Sequence, residues 1–121
     1  MNLIKNHLKK KFASETDIIN QVFAELEEPI IGGDFVYDTT TMLLKKKVIN
    51  YDMVDMPSGE FGDIVIPAIS NDADYKKLKE KALQLFEEKG GTNKQDMIWE
   101  FEKEIINGIQ DMLIDIAEDN V

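Results

Sequence analysis

The strongest chemical pattern in this chain is a set of carboxylates near its end. Asp96, Glu100 and Glu104 follow one another at i, i+4 spacing, and Asp111 and Asp115 repeat that spacing. On a helix such residues stand one above the other, about 6 Å apart, and each like-charge pair destabilises an isolated helix by roughly 0.2–0.5 kcal/mol. Glu118 and Asp119 also fall where the negative end of the helix dipole disfavours acids. A merely solvated face could have used lysine at several of these places. A basic partner explains the choice; the competing explanation is that core packing outweighs a series of small costs. Trp99 lies off the main apolar stripe of the same segment, as an exposed contact residue or as a second core contact with a sheet.

Charge points the same way. The chain has 121 residues and a net charge of −10. Residues 1–50 carry seven lysines and seven acids, whereas residues 51–121 carry seven lysines and 17 acids, so the whole excess lies in the second part. From Asp96 on there are eight acids and one lysine, a net of −7. A field of that sign repels nucleic acid and anionic membrane and attracts a basic protein surface. The blander reading is that acidic proteins are soluble. All 14 basic residues are lysine. The absence of arginine argues against a bidentate phosphate clamp, an arginine finger or base readout, although a low-GC codon bias also produces it.

Other constellations are weak. With no cysteine there is no disulfide, thiolate site or cysteine nucleophile. His7 is the sole histidine, so a His-containing zinc motif is excluded by count. It is best read as a partly exposed structural residue at the edge of the first helix. Asp72 and Asp74 fail the EF-hand pattern, since Lys77 and Leu83 occupy the positions that need Gly and Glu. They suit the N-terminus of a helix. Gly32-Gly33 and Gly90-Gly91 are turn pairs without a phosphate-loop pattern. No catalytic, cofactor-binding or metal-ligating residue is expected, and an enzyme is disfavoured.

The elements that must position these residues follow from hydrophobic periodicity. Residues 3–28 read as one long helix, bent near Ala13 where Ser14-Glu15-Thr16-Asp17 resembles a capping box, with Lys9, Lys10 and Lys11 on its polar side. Pro29 ends it and Gly32-Gly33-Asp34 turns the chain. Phe35-Val36-Tyr37 begins a strand, and 39–46 fits strand or helix. Pro57-Ser58-Gly59-Glu60 then reads as a hairpin turn between strands over 47–56 and 61–69. A helix over 73–89 follows Asp72, with Tyr75, Leu78, Ala82, Leu85 and Phe86 as its buried stripe and Gly90 as its stop. The last helix starts at Thr92-Asn93-Lys94-Gln95 and runs for about 25 residues, or roughly 38 Å. Ile98, Phe101, Ile105, Ile109, Met112, Leu113 and Ile116 form its core side, and Gly108 inside it marks a close crossing or a bend. The expectation is therefore a single α+β domain over 1–121: a long N-terminal helix, a small antiparallel β-sheet of about three strands and two C-terminal helices.

No apolar run approaches the roughly 18 residues of a membrane span, and the lysine-interrupted N-terminus does not look like a signal peptide, so a cytoplasmic protein is expected. In size, composition and charge layout the chain resembles phage DNA mimics, including anti-restriction proteins, and bacterial toxin-immunity proteins. The resemblance involves no motif and gives no residue a role. It implies a small non-enzymatic inhibitor, of immunity or phage anti-defence type, that covers the basic nucleic-acid-binding surface of a nuclease, toxin or defence protein. Asp96, Glu100, Glu104, Asp111, Asp115 and Trp99 would make the contact, with no cofactor, no direct nucleic acid and no membrane. The alternative is a structural or assembly subunit, for example of a phage particle, that forms a homo-oligomer through surplus apolar residues such as Trp99 and Met97.

Overall fold

The computed structural model describes residues 15–26 and 34–119. Among them are five α-helices and one 3-10 turn, with no strand. The helices are α1 (described over 15–26), α2 (Phe35–Lys45), α3 (Ser58–Ile69), α4 (Ala73–Glu88) and α5 (Lys94–Asp119), with the 3-10 turn at Tyr51–Asp55. The expected α+β class is overturned, and with it the sheet: the fold is all-helical. The proposed bend near Ala13, the lysines at 9–11, His7, Pro29 and the Gly32-Gly33 pair lie outside the described residues.

Residues 35–69 are where the expected strands give way to helix. Phe35-Val36-Tyr37 opens α2 rather than a strand. Its β-branched threonines are accommodated because Thr40 Oγ1 donates to the Val36 carbonyl at 2.7 Å, which satisfies a buried hydroxyl inside the helix. The expected strand over 47–56 is a helix end followed by the 3-10 turn. Lys47 adopts φ 62°, Val48 N–H donates to Leu43 O and Lys47 N–H donates to Leu44 O. This is a Schellman ending with lysine where glycine is usual. The chain then reverses, burying Ile49 and Met53. The Asn50 side chain caps the 3-10 turn by accepting from Asp52 N–H at 2.9 Å.

Residues 61–69 form most of α3. Phe61, Val65 and Ile69 repeat every four residues, and all three are fully buried. Strand-favouring Ile64-Val65-Ile66 is outweighed by this one-sided burial, since intrinsic β-propensity is context-dependent. Pro57 is extended and stands at the helix entrance rather than in a hairpin. Pro67 sits in the last turn, where it removes one intrahelical donor.

The C-terminal half matches expectation more closely. Asp72 caps α4 by accepting from Tyr75 N–H at 3.0 Å. Gly90, at φ 93°, ends α4 with the same two-bond pattern seen after α2. Gly91 is required beside it, because a Cβ there would meet the buried Phe86 ring at 2.5 Å.

The core is organised by α5. Met97, Phe101, Ile105, Ile109 and Leu113 are fully buried at four-residue intervals, and α2, α3, α4 and the 3-10 turn all pack against this helix. Tyr75 from α4 lies tilted against Phe101, with ring centroids 5.6 Å apart. Gly108 marks a close crossing: a Cβ there would stand 3.3 Å from Val36 Cγ2 of α2. Gly62 of α3 plays the corresponding part against Ile106.

Lys47 yields a direct test of the α2 ending. A left-handed non-glycine residue costs about 1–2 kcal/mol, partly offset by the greater unfolded-state freedom of glycine. Lys47→Gly is therefore expected to raise stability by about 0.5–1 kcal/mol in urea denaturation. A loss of stability would contradict the left-handed ending.

Candidate functional site

The carboxylates singled out in the sequence all reside on α5, and the helix carries them on one side. At about 100° per residue, Asp96, Glu100, Glu104, Asp111, Asp115 and Glu118 fall within a sector about 100° wide, and no lysine falls inside it. From Asp96 to Asp115 the row extends about 28 Å. Asp96, Asp111 and Asp115 are exposed, whereas Glu100 and Glu104 are half-buried. The row is not straight. Asp96, Glu100 and Glu104 continue at four-residue steps to Gly108, where α2 crosses with Val36. The acids resume one residue earlier in register, at Asp111 and Asp115.

Individual acids differ in what they already do. Asp96 belongs to the α5 N-terminus: Asn93 Oδ1 accepts from Asp96 N–H at 3.3 Å, and Asn93 Nδ2 donates to Asp96 Oδ2 at 3.0 Å. The cap is thus the Asn93 side chain, one residue beyond the Thr92 start expected from the sequence. Glu100 is not unpartnered, because Lys103 Nζ lies 3.8 Å from its Oε1. The same ammonium stands 4.7 Å from the centroid of the Trp99 ring. Trp99 is 61% exposed, which removes the expectation of a core contact. Met97, named above as a surplus surface residue, is fully buried at the start of the core row.

A carboxylate outside this set holds the base of α5 in place. Glu15 of α1 accepts from Asn93 N–H at 2.8 Å, from Thr92 N–H at 3.1 Å and from Thr92 Oγ1 at 3.3 Å. These donors, the Asn93 and Thr92 backbone amides first, hold its carboxyl below the ordinary value of 4.5. No local pattern announced this contact, since the partners are 77 and 78 residues apart. Two salt bridges fasten the same corner: Lys89 to Glu25 at 2.8 Å and Lys94 to Glu87 at 2.6 Å.

Two other features fall short of a site. Asp34 and Asp38 of the α2 entrance meet Asp72 and Asp74 of the α4 entrance around a cleft of about 420 Å³, with Lys77 among them. Among the described residues, no group of three or more His, Asp or Glu side chains is arranged to hold a metal ion. Tyr75 is buried in the core, and among the described residues its hydroxyl has no hydrogen-bond partner. Burial, with Glu102 nearby, pushes it up to about 12. It does not line that cleft. No described helix is long and apolar enough to cross a membrane.

No family model, curated protein or solved structure matches the chain.

The Glu15 contact predicts a pH dependence of known sign. Its folded-state pKa is depressed, so its contribution is complete above the unfolded value near 4.5 and is lost as pH falls through the folded value. The stability advantage of the parent over Glu15→Gln should be constant at neutral pH and shrink progressively below about pH 4.5. Urea denaturation of both proteins across that range checks it; a difference that stays constant into acid would contradict the contact.

Proposed function

We propose that this chain binds another protein, through electrostatic contact between the acidic face of α5 and a basic surface that otherwise holds nucleic acid. The observation that carries the reading is the confinement of six carboxylates to one sector of a single helix, over a length comparable to several phosphate spacings. The side chains stand on a helix whose opposite face is fixed in the core, so the spacing of their backbone positions is set before binding and less order has to be gained. Occlusion is the mechanism: the carboxylates occupy the places of phosphates and exclude the nucleic acid. Complementary charge also accelerates encounter.

The alternative, an assembly subunit that oligomerises through exposed apolar residues, loses one of its two anchors with the burial of Met97 and keeps Trp99. An inhibitory role of immunity or anti-defence type is the form of binding that best suits a small acidic chain.

The test separates the position of charge from its amount. One variant carries Glu100→Lys, Glu104→Lys, Asp111→Lys and Asp115→Lys; a second carries Asp17→Lys, Asp55→Lys, Glu80→Lys and Glu88→Lys. Each exchanges four acids for four lysines and moves the net charge from −10 to −2. The second set is exposed and lies outside α5. A partner captured from the source cells with the tagged parent protein is then used in stopped-flow association. The α5 variant should associate at least tenfold more slowly than the parent at low salt, with the gap closing as salt rises, while the second variant slows much less. Equal slowing by both sets would reduce the reading to bulk charge, and unchanged association of the α5 variant would overturn it.

A further inference from the structure

Beyond Lys103 the exposed side of α5 borders a groove against α3. It encloses about 610 Å³, and its floor and walls are largely apolar: Gly59, Gly62, Ile66 and Pro67 of α3 lie across from Trp99 and Ile106 of α5. Two glycines shape it. Gly62 lets α3 approach until the Ile106 side chain takes the space a Cβ would need. Gly59, nearly one turn earlier, has nothing within 4 Å of where its Cβ would stand, so the groove stays open there. Trp99, exposed at one wall, is the kind of large, rigid side chain that anchors interfaces.

Charge identifies the occupant. Asp63 and Glu102 stand on the rim. Lys103, the cation among the lining residues, is held between the Trp99 ring at 4.7 Å and Glu100 Oε1 at 3.8 Å. An aromatic face beside a carboxylate already holds an ammonium here, which is the geometry of cation–π recognition. A second copy of the chain would bring the same net charge of −10 and be repelled, as would nucleic acid or an anionic membrane.

We propose that this groove takes an amphipathic, lysine- or arginine-rich helix of the partner protein. Its apolar side chains fill the floor beside Gly59, Ile66 and Trp99. Its cations pair with Asp63 and Glu102, and one of them replaces the Lys103 ammonium between Trp99 and Glu100. The inference gives the acidic face its partner chemistry and rests on that reading; it is the helix-in-groove mode of recognition. From Ser58 to Pro67 the groove wall is about 14 Å long, so a helix of about 14 residues covers it with room at both ends.

The probe is a fluorescein-labelled peptide of about 14 residues, with leucines at i, i+3, i+4 and i+7 and lysines elsewhere. Binding to the full chain is followed by anisotropy. The unlabelled peptide is followed by emission of Trp99, the only tryptophan. The parent should bind, with Trp99 emission moving to the blue. Gly59→Phe, which fills the open end, and Trp99→Ala, which removes an exposed wall, should each weaken binding at least tenfold while the thermal unfolding curve stays that of the parent. No binding by the parent would overturn the proposal. So would equal binding of a peptide with glutamine in place of every lysine, because the occupant would then not be chosen by charge. A concentration-dependent dimer of the free protein that disappears in Trp99→Ala would overturn it in favour of a second copy. If both groove variants bind like the parent while the four-carboxylate α5 variant fails, the groove falls and the acidic face stands. If the groove variants fail and a three-carboxylate variant that keeps Glu100 (Glu104→Lys, Asp111→Lys and Asp115→Lys) binds like the parent, the groove stands and the occlusion reading falls.

Discussion

The described structure depends on one row of side chains, Met97, Phe101, Ile105, Ile109 and Leu113, buried along α5 at four-residue steps. Four residues advance a helix by about 40° beyond one full turn, so the row winds about 160° around α5 from end to end. One flat partner cannot cover such a row. Successive neighbours must take it up, with α4 bringing Tyr75 against Phe101 and α2 crossing at Gly108. Burial of each such side chain contributes about 1.5–3 kcal/mol. The row is therefore the main reason the shorter helices stay where they are.

A helix covered in this way keeps a winding strip for solvent, and on α5 that strip carries Trp99 and Lys103 beside the acids. The step in the carboxylate row, from Glu104 across to Asp111, follows from the same packing, because α2 occupies the position where the first row would continue. The face is thus built by the core as much as by its own residues. Neutralisation is concentrated at one place, where Lys103 lies between Glu100 and Trp99. That place is also the boundary between the charged sector and the apolar groove beside α3, so the two surfaces form one continuous edge of the molecule.

The parts that were legible in the sequence are those with unambiguous local signals. Asp72 and Gly90 mark the ends of α4 because a side-chain cap and a left-handed glycine are both local devices. Phe101, Ile105, Ile109 and Leu113 of the α5 core were readable because their spacing persists for many turns, whereas Ile98, Met112 and Ile116, expected beside them, are only half-buried; the side-by-side placement of the acids followed from the same spacing. The middle of the chain misled for physical reasons. In α3 the helical spacing of Phe61, Val65 and Ile69 was present but was masked by Ile64 and Ile66, which favour strands locally. At Lys47 the left-handed turn is made by a residue that carries no signal for it. The role of Glu15 depends on a contact across 77 residues, and Met97 looked like surface only because the winding of the buried row was not visible. Lys103 as a partner of both Glu100 and Trp99 was within reach, since both lie within one helical turn of it.

The central claim is that α5 is at once the core of the fold and the support of its acidic face. Native-state amide hydrogen exchange measures this directly, because it assigns an opening free energy to each position. Amides from Phe101 to Leu113 should exchange only by global unfolding, with opening free energies equal to the stability found by denaturation, while those of α2 and α3 open at equal or lower cost. Exchange of the Phe101–Leu113 amides through a local opening, at lower free energy than the amides of α4, would contradict it.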